Sequence, residues 1–76
     1  MKTSLSNELS NREIEILALV SMGLFDQEIA KQNFLSPHTV RQHLKNIYKK
    51  LGVRNRVEAS LKYLFFFQPA SIYGTA

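Results

Sequence analysis

No cysteine occurs in the 76 residues, which excludes a disulfide framework and any thiolate-held metal. The two histidines, His38 and His43, are too few to close a zinc site. No apolar run reaches the roughly 18 residues that a membrane span needs, and the N-terminus lacks the basic, long-apolar, small-residue order of a signal peptide. A cytoplasmic chain with no membrane partner is expected. A chain this short makes one domain with a thin core and little room for a catalytic cleft. No nucleophile paired with a base, metal cluster or phosphate-cradling loop is visible, so neither enzymatic activity nor a cofactor is expected.

Negative charge is also missing over a long interval. From Ile29 to Val57 there is no Asp or Glu, while Lys31, Arg41, Lys45, Lys49, Lys50, Arg54 and Arg56 all fall there. Five acids, Glu8, Glu13, Glu15, Asp26 and Glu28, come earlier. The net charge of +4 is therefore modest but unevenly placed, and one part of the molecule is suited to meet an anion.

Local signals divide the chain into helices. Residues 1–8 are polar and are expected to form a flexible arm. Ser10 to Glu13 has the form of a capping box, which starts a first helix over about Asn11 to Met22, with Ile16, Leu17, Leu19 and Val20 within one arc of about 160°. Gly23 supplies the residue that adopts positive φ after the last turn. Asp26 is the expected cap of a short second helix with Ile29 and Ala30 inward. Ser36 followed by Pro37 is a strong start for a third helix that runs to about Leu51 and closes at Gly52. Asn55 caps a fourth, which Pro69 prevents from continuing. No strand-like alternation occurs, so the fold is read as all-α, with a domain over 9–67 and a tail over 68–76.

The third helix separates two faces. With Val40 at the origin of a helical wheel, Ile47, Leu51, Leu44 and His43 fall between about −60° and +40°, and Arg41, Lys45, His38, Lys49 and Gln42 between about 100° and 200°. The outward face joins long cations to an amide able to pair with an adenine edge and a guanidinium whose fork suits guanine. An α-helix fits the major groove of DNA, and the helix start at Ser36 offers free amides to a phosphate. A short helix, the turn Asn33 to Leu35 and a longer basic helix together make a helix-turn-helix arrangement.

The segments LSNREIEILALVSMG, QEIA and LSPHTVRQHLKNIYKKLGVRNRVEA closely resemble, in order and spacing, the LuxR-type helix-turn-helix domain of bacterial transcription regulators. The resemblance covers about Leu9 to Leu64. It implies a four-helix DNA-binding domain whose third helix enters the major groove and whose fourth forms a dimer contact. The base-facing positions it implies fall on Arg41, Gln42 and Lys45, with His38 on the same wheel face where the family varies. Backbone-contacting positions fall on Thr39 and Lys50, and Ser36 and Lys49 join them as phosphate anchors from the residue reading. Two departures stand out: Phe25 replaces the Ser or Thr that commonly caps the second helix, and Asn33 replaces a common Leu.

The remaining residues have plainer readings. His43 is expected to pack at the core edge, Glu13 to cap, Glu15 to be solvated and Tyr48 to pack. Arg56 either touches phosphate or pairs with Glu13 or Glu28. The fourth helix carries two stripes, Val57, Leu61 and Leu64 on one side and Ala59, Tyr63 and Phe66 nearly opposite. Only one can face so small a core. The other either pairs with a second copy or lies under the tail through Ile72 and Tyr73; the favoured reading is a homodimer through Ala59, Tyr63 and Phe66. The expected function is sequence-specific binding of double-stranded DNA in transcription regulation, with RNA polymerase or another regulator as a further partner. The rival reading is a protein-interaction module that binds a regulator through the apolar fourth helix.

Overall fold

The computed structural model describes residues 9–67, which form α1 (Asn11–Ser21), α2 (Asp26–Asn33), α3 (Pro37–Leu51) and α4 (Arg56–Phe67), with no strand among them. The expected N-terminal arm and the tail with Ile72 and Tyr73 lie outside the described residues.

α1 begins at the capping box. The Ser10 hydroxyl accepts the Glu13 amide at 3.1 Å, and the Glu13 carboxylate accepts the Ser10 amide at 2.9 Å. Its buried stripe is Ile16, Leu17 and Val20, and the chain turns away at Gly23, whose φ of 93° suits a residue without Cβ. Leu19, expected in that stripe, is half-buried against the core.

α2 starts differently from expectation. Phe25 occupies the cap position and Asp26 is already the first helical residue. Phe25 has no acceptor to give, so only half of a capping box forms: the Glu28 carboxylate accepts the Phe25 amide at 2.7 Å. Ile29 and Ala30 face the core, as their spacing requires. Asn33 is half-buried but satisfied, because its amide donates to the Ile29 carbonyl at 2.9 Å and its oxygen accepts from Arg12, also at 2.9 Å. The turn that follows places Phe34 in the left-handed region at φ 56°, 95 % exposed.

α3 is capped by the Ser36 hydroxyl, which accepts the Thr39 amide at 3.1 Å, and is closed by Gly52 at φ 72°. Val40, Leu44, Ile47 and Leu51 are buried, the stripe the wheel isolates. The core they form with α1 and α2 is completed by α4, which packs chiefly on α1.

That packing corrects the expected dimer face. Ala59 is fully buried and Tyr63 nearly so, whereas Val57 and Leu61 are well over half exposed and about half exposed, respectively. The small Ala59 side chain lets α4 approach α1 closely, and Tyr63 fills the next turn of the same face. Ala59 and Tyr63 therefore belong to the core. Phe66, the third member of that stripe, remains exposed beside Phe65, and Leu64, placed in the opposite stripe, is partly buried against the core. The outward stripe of α4 is Val57, Leu61 and Phe65, at the i, i+4, i+8 spacing of one helical face.

Candidate nucleic-acid interface

The buried stripe of α3 fixes what its other side presents. With Val40, Leu44, Ile47 and Leu51 inward, Arg41, Gln42, Lys45 and Lys49 are all exposed, and His38 joins them one turn earlier. Ser36 is exposed and Thr39 half-buried at the helix start, where their hydroxyls lie 3.0 Å apart. The first turn of α3 holds no acid and its last turn holds Lys49 and Lys50. α3 thus presents donors along one whole face.

An open hollow of about 480 Å³ runs beside that face, walled by Arg41, Gln42, Lys45 and Tyr48 of α3, and by Asp26 and Arg56 from α2 and α4. Among the described residues, Asp26 is the only acid on its walls. The Asp26 carboxylate accepts from Arg56 at 3.1 Å, and its other oxygen lies 3.9 Å from the Arg41 guanidinium. Burial raises the Tyr48 phenol above its ordinary range, with Arg56 opposing that rise and Asp26 adding to it.

The acid-free interval is less positive in three dimensions than along the chain. Lys50, expected as a backbone anchor, reaches instead to Glu13 of α1, at 2.8 and 3.1 Å from the two carboxylate oxygens. Burial pushes the Glu13 carboxyl up, but the hydrogen bonds from Lys50 and from the Ser10 amide outweigh it and hold the group below the usual carboxylate range. Arg54 pairs with Glu58 at 2.7 Å, which lowers the Glu58 carboxyl and raises the Arg54 guanidinium. Arg56 pairs with Asp26, not with Glu13 or Glu28. Lys45 and Lys49 meet no acid among the described residues. The charge of the site that no acid pairs with therefore sits in the C-terminal half of α3, on Lys45 and Lys49.

Sequence reading brought Arg41, Gln42, Lys45, Lys49 and His38 to one face, and the structure keeps them together. It missed the wall formed by Asp26. The signal was present, since Asp26 is the last acid but one before the basic interval, but its distance from Arg41 and Arg56 depends on how α2 docks. Among the described residues, no group of three or more His, Asp or Glu could hold a metal ion, and no helix is long and apolar enough to cross a membrane.

Residues 7–62 match the family described as bacterial regulatory proteins, luxR family. The transcriptional regulatory protein LnrK of Bacillus subtilis is 43 % identical over 54 residues, 71 % of this chain and 24 % of that protein. A nitrate/nitrite response regulator protein homolog of Haemophilus influenzae is 40 % identical over 62 residues, 82 % of this chain and 29 % of that protein. The CsgBAC operon transcriptional regulatory protein of Escherichia coli is 45 % identical over 51 residues, 67 % of this chain and 24 % of that protein. The matched segment spans about a quarter of the length of these relatives.

Proposed function

Since the chain belongs to the luxR family of bacterial regulatory proteins, we propose that it binds double-stranded DNA in transcription regulation, in the cytoplasm, with α3 in the major groove. The observation that carries this reading is the outward face of α3, where Arg41, Gln42, Lys45 and Lys49 are exposed opposite a buried stripe. Arg41, Gln42 and Lys45 read base edges, and His38 is a lesser contact at the same face. Ser36, Thr39 and Lys49 hold the backbone, with the free amides at the start of α3 adding to the phosphate attraction. Lys50 contributes less, because Glu13 neutralises it.

The active unit in this reading is a homodimer through the exposed Val57, Leu61 and Phe65 of α4, which places two reading helices about one DNA turn apart on a two-fold symmetric site. The same exposed stripe favours a second reading, in which α4 docks on RNA polymerase or another regulator.

The test is retention of random duplexes at two salt concentrations, followed by sequencing. Enrichment of a short, two-fold symmetric motif is expected. Uniform retention that vanishes with salt would contradict base readout and turn attention to α4.

A further inference from the structure

The carboxylate in the hollow stands where a DNA-binding face would ordinarily carry positive charge. Asp26 is four-fifths buried, and its place is set by Arg56, whose guanidinium donates to Asp26 at 3.1 Å and to the Leu24 carbonyl at 3.3 Å. With Oδ1 engaged in that way, Oδ2 faces the Arg41 guanidinium at 3.9 Å. Arg41 is 59 % exposed and is tied to no other acid among the described residues.

Two consequences follow from this placement. Beside the reading face, the Asp26 carboxylate cancels positive charge that Arg56 and Arg41 would otherwise offer to phosphates, which weakens attraction to any duplex regardless of sequence. Oδ2 also attracts the Arg41 guanidinium across 3.9 Å, which favours fork orientations over the hollow, so less side-chain freedom is lost when the fork meets a matching base edge. The first effect penalises every duplex, and the second offsets it only where Arg41 finds its base. We infer that Asp26 is a specificity-determining residue, which holds Arg41 away from phosphates and so widens the gap between the matching site and random DNA. The inference rests on the proposed reading of α3.

The experiment compares the wild type, Asp26→Asn, Arg41→Ala and the double variant, each binding the duplex recovered by selection and a random duplex at two salt concentrations. Asn keeps the size of the side chain and an oxygen for Arg56. Asp26→Asn is expected to bind random duplex about three- to tenfold more tightly, with a salt slope steeper by about one ion, and to gain less on the selected duplex. In the Arg41→Ala background, the same change should leave the ratio between the two duplexes unaltered, because the coupling runs through Arg41. If loss of the Arg56 pair unfolds the single variant, Asp26→Asn combined with Arg56→Gln restores a neutral hydrogen-bonded pair and carries the same comparison against Arg56→Gln alone, from which it differs by the one charge of Asp26.

An Asp26→Asn protein that discriminates as well as the wild type would overturn this inference alone. So would a fall in discrimination of equal size with and without Arg41. Wild-type protein that retains no duplex at low salt would overturn the reading of α3, and this inference with it.

Discussion

The Nζ of Lys50 lies 2.8 Å from a carboxylate oxygen of Glu13, across 37 positions of sequence. That carboxylate also closes the capping box of α1, so one side chain caps the start of α1 and ties the end of α3 to it. Glu13 is nearly buried while Lys50 keeps about two-fifths of its surface in water. Glu13→Gln should therefore cost about 1 to 3 kcal/mol in urea unfolding, by weakening a cap and a charged hydrogen bond together. Lys50→Met should cost less than the loss of the cap alone would suggest, because Glu13 retains the Ser10 amide. Equal and negligible losses for both would contradict the pairing.

The same geometry gives a pH dependence. Glu13 and Glu58 are both held below the usual carboxylate range in the folded chain. The unfolded chain thus takes up protons first as pH falls, so their contribution is present above the ordinary carboxylate pKa and lost as pH drops through the lower folded values. Thermal midpoints should decline below about pH 4.5, near the ordinary carboxylate value. In Glu13→Gln the decline should be shallower. A wild-type midpoint that rises on acidification would contradict this sign.

Arg41→Ala and Lys45→Ala should each cost about 1 to 3 kcal/mol on the selected duplex and much less on random DNA. Lys49→Ala should weaken both about equally and reduce the salt slope by about one ion. Fluorescence anisotropy at several salt concentrations distinguishes the two patterns. Equal losses on both duplexes for Arg41→Ala would remove it from base readout.

The two faces of α4 should respond in opposite ways. Leu61→Glu, on the exposed stripe, should leave unfolding nearly unchanged and make the chain sediment as a monomer. Tyr63→Ala, on the buried face, should cost about 3 kcal/mol or more in stability. If Leu61→Glu leaves the sedimentation unaltered, the outward stripe is no dimer contact.

Phe34 sits in the left-handed region with almost its whole surface in water. Phe34→Gly gives up little packing and removes the Cβ strain, against a larger loss of backbone freedom on folding. A net gain of up to about 1 kcal/mol in urea unfolding is expected. A clear loss would mean that the phenyl ring contributes to the turn.

Local rules carried most of the fold. Ser10 with Glu13, Ser36 with Pro37, and Gly52 each act within one helix turn, and each appears where the residues require it. The wheel of α3 was equally legible, because its apolar and basic residues separate cleanly. α4 was not, since both of its stripes are apolar and the choice between them depends on how closely Ala59 lets it approach α1. Asp26 was misread for a related reason: short-range chemistry suggests a cap, whereas Arg56, 30 positions away, uses it as a long-range partner. Phe34 gave no signal, because aromatic residues rarely adopt positive φ.

The central claim is that α3 reads bases from the major groove, and methylation interference on the selected duplex tests it most directly. Guanine N7 faces the major groove and adenine N3 the minor groove. Methylated guanine N7 within each half-site should be depleted from the bound fraction, with methylated adenine N3 tolerated there. Depletion confined to adenine N3, or no depletion at either position, would contradict the account.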